Sequence, residues 1–299
     1  MTKLAKQYVC FALLFSATLL AGWRPLVENF TQAMTDDDYT YILLILPISA
    51  ALVALDWRSL RASLVFNLRA GSILEVIAAL IACTTIAWGA SLTTDEKLSV
   101  RIFALVLSWG GVFLFSFGYA AWRRALFPLC FLVGLVPIPQ AGLSWLVALL
   151  QLGSAWAAHV LFTLFRVPVV QNGVLLTIPG LTLQVAVQCS SIRSSSMLLV
   201  TTIVIAQLFL RSPWRKTVVI CLAVPLSVAK NGLRIFTIAM LGSRLDPAYL
   251  TGRLHHDGGI VFLAIALLVI FAVLWLLRRG ENRSISPAHK TVNTPSPAD

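Results

Sequence analysis

Apolar residues along this chain are gathered into long runs separated by short polar segments. The runs lie at Tyr8–Gly22, Tyr41–Leu55, Ser72–Ala90, Ile102–Trp122, Ile192–Leu210, Thr217–Leu241 and Ile260–Leu277. A helix needs about 20 residues at 1.5 Å rise to cross the hydrocarbon core of a bilayer. Each run therefore predicts a membrane span, the second extending into its flanks. Ala125 to Phe165 holds two further apolar stretches, split at Pro137-Ile138-Pro139. No internal repeat is evident.

Between Val167 and Val187 the texture changes. Short runs rich in β-branched residues are separated by Asn172-Gly173 and Pro179-Gly180. Asn-Gly between such runs is a strong hairpin signal, so a small β-hairpin is expected before Cys189.

Composition narrows the class. Of 299 residues, 59% are hydrophobic and 12% charged, with a mean hydropathy of +0.87. A soluble domain carries about 25% charged residues, and half that supply cannot cover a soluble fold of this size. Soluble enzyme, nucleic-acid-binding domain, disulfide scaffold and disordered protein are excluded. The fold class expected is an all-α polytopic membrane protein.

The net charge of +11 does not point to nucleic acid, because the basic residues sit in clusters between the apolar runs. These are Lys3/Lys6, Arg58/Arg61/Arg69, Arg123/Arg124, Arg211/Arg215/Lys216 and Arg278/Arg279/Arg283, with Asp36-Asp37-Asp38, Asp95-Glu96 and an Asp246/Asp257 loop between them. Cytoplasmic loops are enriched in Lys and Arg. Placing the clusters inside puts both termini in the cytoplasm and makes the number of crossings even. Ala125–Phe165 then contributes one crossing, its other stretch lying in the interface or re-entering, and eight spans result. The hairpin falls outside. The first run lacks a small-x-small cleavage site and is followed by Trp23-Arg24-Pro25, so it reads as an uncleaved signal anchor. Residues 1–277 form a single transmembrane domain in this reading. Residues 278–299, polar and rich in Pro, Ser and Thr, form a disordered cytoplasmic tail.

The same topology brings three polar points to one depth. Cys189 opens the sixth span from outside, Arg234 lies ~26 Å up the seventh from its inner start at Thr217, and His255 immediately precedes the eighth. The other cysteines, Cys10, Cys83, Cys130 and Cys221, lie inside apolar runs and are expected only to pack. No Cys/His spacing suggests a metal, and no cofactor is expected. An intramembrane arginine is costly, ~2.5–3.5 kcal/mol on insertion scales, so Arg234 should face protein or a water-filled cavity. Lys230 and Asn231 precede it by about a turn.

Together these residues suit thiol chemistry. The thiolate is the reactive form, and a nearby guanidinium, imidazole or helix N-terminus favours it or accepts its proton. Arg234 could instead stabilise an oxyanion, or pair structurally with backbone carbonyls. Arg193, on the helix face of Cys189, is a second cation or an interface anchor. His255 and His256 could equally be ordinary loop residues.

Cys189-Ser190-Ser191-Ile192-Arg193, Asn231-Gly232-Leu233-Arg234 and His255-His256-Asp257-Gly258-Gly259 resemble, in order, the Cys-Ser-Gly-x-Arg, Asn-x-x-Arg and His-x-x-x-Gly blocks of the exosortase/archaeosortase family. The Pro-containing segment Phe127 to Pro139 and the hairpin resemble that family too, and the specific similarity covers Phe127 to Leu277, the catalytic part. The resemblance implies a multi-pass cysteine transpeptidase of the plasma (bacterial inner) membrane, with its active site facing the exterior. Its partners would be membrane-anchored proteins with C-terminal sorting signals: a Pro-Glu-Pro-type motif, a transmembrane helix and a basic tail. The bilayer itself and a polysaccharide or lipid acceptor would be further partners. Cys189 would be the nucleophile, Arg234 the cationic stabiliser and His255 the acid/base, with Arg193, Asn231, His256 and Gly259 in support. His255 is favoured over His256 by its spacing to Gly259. Ser191 departs from the family's glycine. Rival readings are a transporter binding an anion on Arg234 and Lys230, which calls for inverted repeats and broken helices, and an envelope-assembly scaffold with no use for Cys189. Rhomboid and metalloprotease motifs are absent from the sequence.

Overall fold

Backbone N–H and C=O groups in lipid have no water to bond, so apolar runs of this length satisfy themselves as helices. The computed structural model describes residues 3–61, 65–185, 192–244 and 259–285. Seven of its helices are long and apolar enough to span a membrane, and a bent pair makes up to eight. The polytopic helical architecture is as expected from hydropathy. By contact the chain falls into two compact units, Met1–Ser144 and Trp145–Asp299.

The first unit begins with α1 (Lys3–Ala21) and α2 (Trp23–Thr35), bent by 67° at Gly22. There follow α3 (Ile42–Leu55), a short α4 (Trp57–Arg61), α5 (Leu68–Ala87), α6 (Thr94–Arg124) and α7 (Leu126–Phe131). Helix α1 packs on α6 through aromatic contacts of Tyr8, Phe11 and Phe15 with Trp109, Phe113 and Phe117. Helix α6 is broken at Gly118, whose φ of 81° lies in the left-handed region. The break releases carbonyls that the incoming segment uses. The Val65 N–H donates to Phe117 O at 3.2 Å and the Asn67 N–H to Phe115 O at 3.1 Å. A β-carbon at residue 118 would collide with the Val65 carbonyl oxygen, so glycine is required there on both counts.

The stretch from Leu126 to Leu135 is helical but too short to cross, and α8 (Gln140–Leu164) makes the crossing instead. Of the two stretches expected in Ala125–Phe165, one is thus of spanning length and one is not. Proline removes helical hydrogen bonds, and side chains take up the carbonyls of this segment. Ser49 donates to Pro128 O (2.7 Å), Asn29 to Leu135 O (3.0 Å), Ser99 to Pro137 O (2.7 Å) and Tyr39 to Ile138 O (2.8 Å).

The second unit comprises the rest of α8, strands β1 (Val170–Asn172), β2 (Leu175–Ile178) and β3 (Leu181–Gln184), and helices α9 (Ile192–Phe209), α10 (Pro213–Arg244) and α11 (Gly259–Ile285). The expected hairpin is present and extended to a three-stranded antiparallel meander. Its turns fall at the two signals read from sequence. Gly173 (φ 60°) opens a two-residue loop between Asn172 and Leu175, and Gly180 (φ 80°) follows Pro179 in the second.

Two cores hold this unit together. Leu198, Ile205, Val219, Ala266, Ile270 and Leu274 join α9, α10 and α11 into an antiparallel three-helix group. Phe162, Leu176, Ile178, Val185, Ile235 and Ala239 seat the sheet on the C-terminal halves of α8 and α10. Successive contacts Gly153–Val228, Ala157–Gly232 and Phe162–Phe236 make α8 and α10 parallel.

Two expectations need correction. Cys83, Cys130 and Cys221 are exposed on the protein surface and Cys10 is half-buried, so these thiols are not core residues: the membrane-facing sides of the helices are apolar as well. The last helix also continues past Leu277, where the tail was expected to start, to Ile285. It does so because Glu281 accepts hydrogen bonds from the backbone N–H groups of Arg211 (3.2 Å) and Ser212 (2.8 Å), while Arg215 donates to Leu277 O at 2.6 Å. The remainder of the tail lies outside the described residues.

Candidate active site

Helix α10 carries an unusual polar stripe for a membrane span. Ser227, Lys230, Asn231 and Arg234 recur at helical spacing, so they share one face, and all are buried. Arg234 is 7% exposed and Asn231 1%, which fulfils the expectation that the arginine faces protein rather than lipid. Arg234 stands 21 residues beyond Pro213, ~31 Å along the helix.

The opposing face belongs to α9. The Lys230 Nζ donates to Ser194 Oγ and, at 2.9 Å, to its neighbour Asn231 Oδ1. One turn further from Arg234, Ser227 Oγ donates to Ser195 Oγ at 2.6 Å. A ladder of polar contacts thus joins α9 to α10 in the turns leading to Arg234. At its head stands Gly259, the first residue of α11, where a β-carbon would lie 3.8 Å from Arg234 Nη1. Gly232 has a different duty, since a β-carbon there would come within 2.5 Å of Ala157 Cβ and 3.0 Å of its carbonyl carbon. Glycine is what lets α8 lie against the Asn-Gly-Leu-Arg block.

The sheet closes the same end of the unit. The Val185 N–H donates to Val174 O (2.9 Å), and Gln151 donates to Val185 O (3.1 Å), anchoring the chain four residues before Cys189. Arg193 is exposed on the first turn of α9. Of the residues expected in the site, Arg234, Asn231 and Gly259 are brought together; Cys189, His255 and His256 lie outside the described residues. Ser194, Ser195 and Ser227 were missed, although a Ser-Ser-Ser run at 194–196 inside an apolar span was a visible signal. A separate cavity of about 590 Å³ in the first unit, lined in part by Arg24, Glu75, Arg101 and Ser108, holds none of the predicted residues.

The sequence model of the transmembrane exosortase family matches residues 31–272. The chain belongs to that family. The match takes in all three motif blocks and reaches well before Phe127, so it also covers α3 to α7 of the first unit. No curated protein sequence and no solved structure matches the chain. This exosortase is accordingly a multi-pass membrane protein.

Proposed function

We propose that this exosortase is a cysteine transpeptidase that cuts C-terminal sorting signals of exported proteins at the outer face of the membrane and passes them to an acceptor. The observation that carries the reading is the buried guanidinium of Arg234 beside Gly259, the residue that ends the His-x-x-x-Gly block. Chain connectivity supports it further. Cys189 is three residue steps from Ile192 and His255 four from Gly259, spans of at most ~11 and ~14 Å of extended chain.

In the proposed reaction the Cys189 thiolate attacks the scissile carbonyl carbon. A C–S bond forms, and the oxyanion is stabilised by Arg234. The C–N bond then breaks, and the leaving amine takes a proton from His255. An acceptor amine, or water, attacks the thioester; the C–S bond breaks, the thiolate returns and His255 takes up the acceptor's proton. Arg193, exposed at the start of α9, supplies an interface anchor and a second cation.

The orientation rests on charge. Arg211, Arg215, Arg278 and Arg279 gather at the end of the three-helix group opposite Arg234, where Arg278 lies over the Phe209 ring (5.4 Å) and Arg279 over Trp275 (3.4 Å). With basic loops inside, the Arg234 end faces out. The transporter reading gains less from the same site, because the buried Lys230 ammonium already donates to Ser194 and Asn231.

The test is to express Cys189→Ala and Cys189→Ser in place of the wild type and follow processing of exported proteins bearing a Pro-Glu-Pro-type motif, helix and basic tail. Both variants should leave the signal uncut, and mass spectrometry should find a substrate thioester on wild-type Cys189. Normal processing by Cys189→Ala would refute the proposal.

A further inference from the structure

Lys230 is a buried cation that the reaction as written does not use. It is 5% exposed inside a membrane-spanning helix. Such a charge is expensive in lipid, and hydrogen bonds to the ammonium offset part of the cost. Its bonds are specific: one goes to Ser194, on the helix that follows Cys189, and one to Asn231, within the block that carries Arg234.

We propose that Lys230 is a positioning residue for the exosortase reaction, locking α9 and α10 in register so that the chain entering α9 from Cys189 meets the guanidinium of Arg234. The inference rests on the cysteine transpeptidase reading above and adds a residue to it.

The geometry favours a register lock over simple adhesion. Ser194 and Ser195 are adjacent on α9, about 100° apart around the axis, and each bonds a different position of α10. One such peg would leave α9 able to roll; two on neighbouring residues fix both rotation and height. Neighbouring hydroxyls behave differently. Ser196 donates to Ile192 O (2.6 Å) and Thr202 to Leu198 O (2.6 Å), the usual local bonds of hydroxyls within helices. Ser194 and Ser195 reach across to the partner helix instead. Lys230 also accepts the task of orienting Asn231: by donating to Oδ1 it fixes which way the amide faces, three residues before Arg234. A competing use of the same contact is a serine–lysine dyad with Ser194 as nucleophile.

The experiment measures steady-state cleavage by the full chain in lipid nanodiscs, with a fluorogenic peptide carrying Pro-Glu-Pro, an apolar helix and a basic tail, and thermal unfolding of each sample. Lys230→Met should lower kcat roughly 30-fold with KM within about twofold, per folded molecule, because only transition-state alignment is lost. Ser194→Ala should cost roughly 5- to 10-fold, and the double variant should be no slower than Lys230→Met alone, since both act through one contact. Lys230→Arg should recover part of the rate. If Lys230 were only structural adhesive, Lys230→Met would lower the unfolding temperature while leaving kcat per folded molecule unchanged, and the proposal would fall. Should Lys230→Met not accumulate, Ser194→Ala decides: an unchanged kcat overturns the register lock. Full activity of Cys189→Ala together with an inactive Ser194→Ala would establish the serine–lysine alternative and overturn this proposal. A wild-type chain without cleavage, or a Cys189-independent one, fails the cysteine reading itself. Cys189-dependent cleavage with a full-rate Lys230→Met fails only the role given to Lys230.

Discussion

Gly259 opens the last helix so close to Arg234 that a β-carbon would lie 3.8 Å from Nη1, an ordinary van der Waals contact. A methyl group therefore fits, and a bulky side chain directed at Arg234 would crowd the guanidinium. Gly259→Ala should keep sorting within about threefold of wild type, while Gly259→Phe should displace the guanidinium and reduce it by roughly 30-fold or more. Comparing processed and unprocessed substrate in cells expressing each variant at equal abundance checks this.

Arg234 is buried among the polar stripe of α10, and its charge and planar fork are both used in the proposed reaction. Arg234→Lys should lower cleavage by roughly 100-fold, in the range seen when an oxyanion-stabilising donor is lost. The membrane-inserted protein should still be made. Retention of full activity by Arg234→Lys would leave a point charge as the only requirement at this position.

Close approach of α8 to α10 depends on the absence of a side chain at Gly232. Gly232→Val should destabilise the protein by about 1–3 kcal/mol through overpacking against Ala157. Adding Ala157→Gly should return part of that loss, which thermal unfolding in a mild detergent would reveal.

The break in α6 makes a demand of another kind. Gly118 has a φ of 81° and no room for a β-carbon beside the Val65 carbonyl. Gly118→Ala should cost about 1–3 kcal/mol from backbone strain alone. The segment at Val65–Asn67, which bonds to the released carbonyls, should become more sensitive to protease in the variant.

At the opposite end of the second unit, the Glu281 carboxylate receives the N–H groups of Arg211 and Ser212 at the start of α10. Glu281→Gln keeps the shape and one carbonyl acceptor but loses the charge. It should lower stability by about 1 kcal/mol, measurable as a shift in unfolding temperature at unchanged cleavage rate per folded molecule.

Much of this architecture was legible from hydropathy. The spans Ser72–Ala90, Ile102–Trp122 and Ile192–Leu210 correspond to α5, α6 and α9, and of the two stretches in Ala125–Phe165 only the second forms a helix of spanning length. The meander was half-legible: Asn172-Gly173 and Pro179-Gly180 mark its turns, but a third strand is recognisable only when β2 is known to have a second partner. The break at Gly118 left no trace, because glycine is common within apolar spans and only the carbonyl of Val65 makes it obligatory. Serines 194 to 196 illustrate the limit best. As residue types they are alike, yet Ser196 bonds back along its own helix while Ser194 and Ser195 bond to α10.

By itself, then, the sequence determined that this chain is a multi-span membrane protein, where its apolar helices lie along the chain, and that it belongs to the exosortase family. Those are properties of local composition and of order along the chain, and lipid enforces them segment by segment. Only the tertiary structure decided that Lys230 is tied to Ser194, that Arg234 faces the start of the last helix, and that the polar groups of α10 point inward together. Such outcomes depend on which helix faces meet, and helix packing is chosen by contacts between residues far apart in the chain.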